Sequence, residues 1–200
     1  MALYRENDRL ECDSRILKIT DIDEASLWLE RSKLNIRGLI CDYPSLSKLN
    51  KATKDMVELS KNYNSNRKKT ARKWDYAHNE KNITSESDIK NGMSEDVNDV
   101  VKVLAEIYRR AIGIDIASAL VIVNNRNERA TKRHQDRGVS PMVCTFNQAG
   151  TICENEYGKE YAVEAGKILL IDNTIWHRAP PQEESWKNNP RVNSIVYSRN

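Results

Sequence analysis

Histidine is scarce in this sequence, three in 200 residues, so an imidazole-based site has few candidates to draw on. Phenylalanine is scarcer still. A single copy, beside four tryptophans and eight tyrosines, argues against an aromatic platform that stacks on nucleobases. No apolar run approaches the length of a membrane span, and the polar start MALYRENDRLECDSR has no signal-peptide core. The four cysteines (Cys12, Cys41, Cys144, Cys153) contain no C-x-x-C pair. Reduced, buried thiols in a cytoplasmic protein are therefore expected, and a zinc–thiolate site is not. The net charge of +3 is too small to argue for nucleic acid by itself. No internal repeat is evident.

What is present fits one soluble domain. Hydrophobic residues make up 39% and charged residues 30%, enough apolar material for a real core in a chain of this length. Residues 1–19 read as an irregular or edge segment ending in Ile16, Leu17 and Ile19. Thr20 then caps a helix carrying Ala25, Leu27, Trp28 and Leu29, which stops before Gly38. Leu39–Cys41 is a short apolar run. Helical spacing of Leu46, Leu49, Met56, Leu59 and Tyr63 predicts a second helix from about Ser45 to Tyr63. Residues 64–92, with the basic run SNRKKTARK, lack apolar periodicity and read as a long solvent-facing connection, a candidate lid. His78 within it reads as a surface histidine. Ser94–Asp96 opens the clearest helix, with Val97, Val100, Val101, Leu104, Ile107, Tyr108 and Ala111 in one stripe and Gly113 closing it.

After Gly113 the period switches from helical to alternating. Strands are expected at 116–124, 130–136, 141–146, 161–163, 167–171 and 191–198, with turns near Asn125, Gly150 and Gly166. Short, closely spaced strands of this kind predict an antiparallel sandwich or barrel. The expected organisation is a single α+β domain with a mainly β core. Residues 1–113 would supply helical support with the polar insert 64–92, and 114–200 the core that carries the site.

The chemistry centres on Arg133-His134-Gln135-Asp136-Arg137. In an extended segment, residues two apart share a face, so His134 and Asp136 point together. His177 follows an apolar strand and can return to the same place across a sandwich. Two imidazoles and a carboxylate on one face of a metal leave positions open, the arrangement suited to non-haem Fe(II) oxygenases. Arg191 follows on another strand, where its guanidinium can grip a carboxylate bidentately. Asn193 shares its face and Ser194 points away, while Arg199 is a second, weaker anchor. Thr145, Asn147 and Thr151 are candidates for lining the pocket or bonding a ligand. Asn124 and Arg126 are placed near its mouth. Trp176 is expected to pack. Arg178 pairs either with a substrate anion or with a surface acid.

The order H-x-D, then G-K-I-L-L-I-D-N-T-I-W-H-R-A, then an arginine on the next strand resembles the 2-oxoglutarate- and Fe(II)-dependent oxygenase superfamily. The resemblance implies a double-stranded β-helix (a jelly-roll, cupin-like core) with N-terminal helices packed on one side. It implies metal ligands at His134, Asp136 and His177, and 2-oxoglutarate held by Arg191 with Asn193 and Thr145. It also implies dioxygen as co-substrate and hydroxylation of a small molecule, amino acid or peptide. Asn193 stands where some members carry serine in an R-x-S pattern. The run R-H-Q-D-R-G-V-S-P-M-V-C-T-F-N-Q-A-G-T, with H-R-A-P-P and P-R-V, is similar to an uncharacterised bacterial family, domain of unknown function 1826. That family tends to Gly-Pro where this chain has Gln148-Ala149. Two rival readings remain at this level: a cupin-like metal-dependent protein that ignores 2-oxoglutarate, and a nucleic-acid demethylase whose SNRKKTARK run contacts phosphates.

Overall fold

A computed structural model describes residues 9–62, 70–77, 83–84, 94–124, 131–136, 140–181 and 189–198. In chain order its strands begin with β1 (Arg9–Leu10), β2 (Asp13–Lys18), β3 (Gly38–Asp42), β4 (Thr70–Ala77), β5 (Ile83–Thr84) and β6 (Ile116–Asn124). They continue with β7 (Met142–Thr145), β8 (Ile152–Glu154), β9 (Glu160–Ala162), β10 (Lys167–Ile171), β11 (His177–Arg178) and β12 (Arg191–Tyr197). Nine of them form one sheet in the order β1-β2-β3-β10-β7-β12-β6-β4-β5, and the other three form a small sheet, β11-β8-β9. All described pairings are antiparallel except β2 with β3.

Alternation along the strands divides the interior into two cores. Leu17, Leu39, Cys41, Met142, Cys144, Ile168, Leu170, Val192 and Val196 project to one face of the large sheet, where the helices cover them. Ile16, Ile40, Leu169 and Ile171 project to the other face, against Cys153, Val163 and Ile175 of the small-sheet region. The result is a two-sheet β core with helices on one side.

The helices form where their caps and stripes predict. A 3-10 segment, Ile22–Glu30, leads into α1 (Arg31–Leu34) and ends at Asn35, which takes a left-handed φ of 51°. Its cap is Asp21 rather than Thr20. The Asp21 carboxylate accepts from the Asp23 N–H, and Glu24 reaches back to the N–H groups of Thr20 and Asp21. The carboxylate one residue later closes a capping box, which the threonine does not. Ala25 and Trp28 are buried, whereas Leu29 is 55% exposed. In α2 (Leu46–Asn62), Leu49, Ala52 and Met56 face inward and Leu46 outward. Ser94 caps α3 (Glu95–Ile112), Gly113 ends it at φ 72°, and all seven stripe residues are buried. Each aliphatic side chain of that stripe stabilises the fold by about 1.5–3 kcal/mol relative to exposure. Tyr108 also donates to the Ser140 carbonyl and accepts from the Ser198 N–H, pinning β12 to the helix layer.

Two expectations are corrected. Residues 70–77 lie in β4, which pairs with β6 from Thr70↔Val123 to Ala77↔Ile116, so part of the polar stretch is sheet rather than connection. Charged residues in TARKWDYA hide its alternation. The rest of 64–92 apart from Ile83–Thr84, including His78, lies outside the described residues. Residues before 114 also supply strands as well as helices, because β1–β5 pair within the same sheet as β6, β7, β10 and β12. Among the described residues no helix is long and apolar enough to cross a membrane. All four cysteines are free; Cys41, Cys144 and Cys153 are buried and Cys12 is exposed.

Candidate metal centre

Local backbone structure places the three predicted ligands together. His134 lies in no regular strand, yet its N–H donates to the His177 carbonyl and its carbonyl accepts from the His177 N–H, both at 2.9 Å. This isolated bridge brings residues 43 positions apart side by side, with ring centroids 4.4 Å apart. Asp136 lies two residues on, with Oδ1 3.9 Å from His134 Nε2 and Oδ2 3.1 Å from His177 Nε2. One ligand atom from each residue falls within 4.8 Å of the others.

The tautomers are fixed from outside the cluster. His134 Nδ1 is 2.8 Å from the Lys132 carbonyl, and His177 Nδ1 is 3.2 Å from the Ile175 carbonyl. A carbonyl only accepts, so each Nδ1 carries the proton, and in the neutral ring Nε2 presents a lone pair toward Asp136. A lone pair and a carboxylate oxygen 3.1 Å apart repel unless a cation lies between them. The Asp136 carboxyl is held below its ordinary range, chiefly by its hydrogen bond with His177.

The donor set fits a divalent metal. Ligands held at roughly 2.1 Å and at right angles are separated by about 3 Å, which the His177–Asp136 spacing of 3.1 Å meets. His177 is buried, while the side chains of His134 and Asp136 are 40% and 39% exposed. One side of the cluster is therefore open for further ligands. The loops are braced as well. Gln135 donates to the Thr174 carbonyl at 2.7 Å, and Asp172 accepts from the backbone and hydroxyl of Thr174 and from Arg37. The Gln135 clamp has no local signal, because its partner lies 39 residues away.

Arg191 occupies the second part of the site. It is 3% exposed, and its Nε donates to the Ala149 carbonyl at 2.7 Å, Nη1 to Asn193 Oδ1 at 3.0 Å and Nη2 to Thr145 Oγ1 at 2.9 Å. No carboxylate pairs with it among the described residues. Burial alone pushes its pKa down. Arg191, Asn193 and Thr145 alternate with the helix-facing residues Val192, Val196 and Cys144, so they face the small-sheet side, where His177 also lies. The expected split between Asn193 and Ser194 is observed, and the hydroxyl of buried Ser194 has no hydrogen-bond partner among the described residues. Ala149 links the two parts of the site. Four residues later Cys153 pairs directly with His177, and four residues of extended chain reach at most about 14 Å.

Other candidates separate from this cluster. Asn147 ties β7 to β12, donating to the Pro190 carbonyl and accepting from the Val192 N–H. Thr151 is buried, and its carbonyl accepts from the Val163 N–H. Arg178 alternates with His177, which turns it to the outer face of the small sheet, where it makes a bidentate pair with Glu160 at 2.9 and 2.8 Å. Of the two partners expected for Arg178, the surface acid is the one observed. Arg133 pairs with Glu154 and stacks over Trp176 at 3.9 Å on that outer face, leaving Asp136 to the histidines. Arg126, Arg137 and Arg199, and the side chains of Asn124 and the basic run, lie outside what the structure describes.

Three solved structures are similar to this chain as a whole. A "putative oxygenase" from Shewanella oneidensis is 12% identical, covers 92% of this chain and 88% of its own, and superimposes with a TM-score of 0.50. IDO from Bacillus thuringiensis is also 12% identical, covering 89% of this chain and 95% of its own, with a TM-score of 0.54. The chain shares their fold. A "putative 2OG-Fe(II) oxygenase family protein" from Caulobacter crescentus is a weaker likeness, 10% identical over 91% and 85% of the two chains at a TM-score of 0.46. No family model and no curated protein matches the chain.

Proposed function

We propose that this chain is a non-haem Fe(II)- and 2-oxoglutarate-dependent dioxygenase built on a double-stranded β-helix, hydroxylating a small molecule, amino acid or peptide in the cytoplasm. One observation carries the reading: an open two-histidine, one-carboxylate cluster shares a face of the fold with a buried guanidinium that has no described acid partner. A buried cation without a counter-charge is costly, and a ligand carboxylate removes that cost. The shared fold with a protein called an oxygenase supports the class and says nothing of the substrate.

In this reading His134, Asp136 and His177 hold the iron, with each Nε2 directed inward by its Nδ1–carbonyl bond. Bound iron and 2-oxoglutarate together supply the oxidising power that splits dioxygen between succinate and the hydroxylated product. Arg191 binds the far carboxylate of 2-oxoglutarate. Asn193 and Thr145 hold the guanidinium plane, and the Thr145 hydroxyl, already accepting from Arg191, keeps its proton to donate to the same carboxylate.

The test is an anaerobic titration of the metal-free protein with Fe(II) and then 2-oxoglutarate, watching the visible charge-transfer band of the chelate. A band that disappears in Arg191→Ala supports the proposal. Fe(II) binding without a band leaves a cupin-like metal protein instead, and no Fe(II) binding removes the metal centre altogether.

A further inference from the structure

We propose that Tyr161 and Cys153 form a one-electron relay that drains the metal centre when it has been oxidised with no substrate to attack. The inference rests on the metal site proposed above. It arises from a row of residues across the small sheet. His134 pairs with His177, His177 with Cys153, and Cys153 with Tyr161. Directly opposed residues in antiparallel strands project to the same face, with Cβ atoms about 4.5–5.5 Å apart. The face is the inner one, since Cys153 is 1% exposed and Tyr161 packs against the same apolar cluster. An oxidisable thiol therefore stands beside a metal ligand, and an oxidisable phenol beside the thiol. The whole step from His177 to Tyr161 spans two strand spacings, about 10 Å.

At the far end of the row the phenol has a hydrogen-bonded acceptor. The Tyr161 hydroxyl donates to Asp13 Oδ2 at 3.1 Å, and the Asp13 side chain is fully buried. Arg15 clamps that carboxylate through Nε at 2.9 Å and Nη2 at 2.8 Å, and also donates to the Glu154 carbonyl at 2.7 Å, fixing β2 to β8. Burial raises the Tyr161 pKa far above its ordinary value, so the phenol does not ionise first. Loss of its electron must carry the proton along.

The step balances as follows. One electron would pass from the Tyr161 phenol by way of Cys153 and His177 to a metal centre that dioxygen, with 2-oxoglutarate, had oxidised, and the phenol proton would pass to Asp13. The products are a metal centre reduced by one electron, a neutral tyrosyl radical and a protonated Asp13. Tyr161 is half-buried, so a small-molecule thiol in solution can return the electron while Asp13 returns the proton. The thiol releases its own proton and becomes a thiyl radical.

The experiment is freeze-quenched electron paramagnetic resonance on the full chain, without substrate. One arm mixes the Fe(II)- and 2-oxoglutarate-loaded protein with dioxygen. A second treats the Fe(II)-loaded protein with hydrogen peroxide and no 2-oxoglutarate. The expected result is a transient organic radical that narrows with ring-deuterated tyrosine, vanishes in Tyr161→Phe and falls at least tenfold in Cys153→Ala. Fe(II) affinity measured on both variants reports whether the fold is intact. Consumption of 2-oxoglutarate with no radical, or a radical that survives Tyr161→Phe, overturns the relay and leaves the oxygenase reading standing. A Tyr161 radical in the peroxide arm alone supports the relay and overturns the 2-oxoglutarate reading. Silence in both arms, with iron bound and no 2-oxoglutarate consumed, overturns both.

Discussion

His134 and His177 exchange both of their backbone hydrogen bonds, so the two imidazoles are neighbours by main-chain geometry before any metal arrives. Their Nδ1 atoms are committed to carbonyls of their own segments, at Lys132 and Ile175. The site is thereby oriented in advance, and its remaining freedom lies in Asp136, whose side chain is 39% exposed.

Replacing Asp136 should separate metal binding from folding. Asp136→Ala removes one of three ligands from a half-exposed position, so Fe(II) affinity should drop at least about 100-fold while the circular dichroism spectrum is retained. Wild-type affinity in that variant, measured by calorimetry, would remove Asp136 from the ligand set.

Acid should weaken the metal-free protein through the same residue. The Asp136 carboxyl is lowered from its ordinary 3.8 by the hydrogen bond with His177. A carboxyl lowered on folding stabilises the native state above its unfolded pKa, and that contribution is lost as pH falls through the folded value. Exposure keeps the effect below about 1 kcal/mol. Urea melts in chelator should show Asp136→Asn less stable than wild type at about pH 6, with the gap closing below about pH 3.8.

Arg191 should report the co-substrate without touching the metal. At a 2-oxoglutarate concentration about 100 times its Kd, the wild-type protein loaded with Fe(II) should gain about 2.7 kcal/mol of stability. Arg191→Ala should bind Fe(II) as before and show no such gain. An equal gain in both proteins would sink the assignment of Arg191 as the anchor.

Gly150 should not tolerate a methyl group. A Cβ built there meets the Val163 carbonyl oxygen at 1.6 Å, an overlap with backbone that no rotamer relieves. Gly150→Ala should destabilise the fold by at least about 3 kcal/mol, read by urea denaturation. It should also weaken 2-oxoglutarate binding, because the displaced segment carries the Ala149 carbonyl that orients Arg191.

The pairing of β4 predicts slow amide exchange. Hydrogen exchange followed by mass spectrometry should show residues 70–77 protected, since their backbone pairs with β6 along its whole length. Complete exchange within seconds would return this stretch to the connection that its composition suggests.

Much of this protein is local and therefore legible in its sequence. The α3 stripe, the Ser94 cap, the Gly113 stop and the apolar strands β6, β7, β10 and β12 follow from periodicity and capping, which depend on neighbours along the chain. Arg191 and Asn193 share a face because extended backbone alternates, whereas His134 lies in an isolated bridge rather than in the strand expected over 130–136. The sequence hid β4, because its charged residues mask the alternation, and β8, because three residues are too few to show a period. Gln148 holds φ 62°, a left-handed conformation that glycine adopts without strain.

What only the tertiary structure decided are relations between distant segments. The His134–His177 bridge, the burial of Arg191 away from any described acid, the outward turn of Arg178 onto Glu160 and the Tyr161–Cys153–His177 row each join strands far apart in the chain. Residue types and spacings determined that candidate ligands and a candidate anion-binding arginine were available. Strand order and register, set by which apolar faces could be buried together, determined that they met and which candidates were left outside.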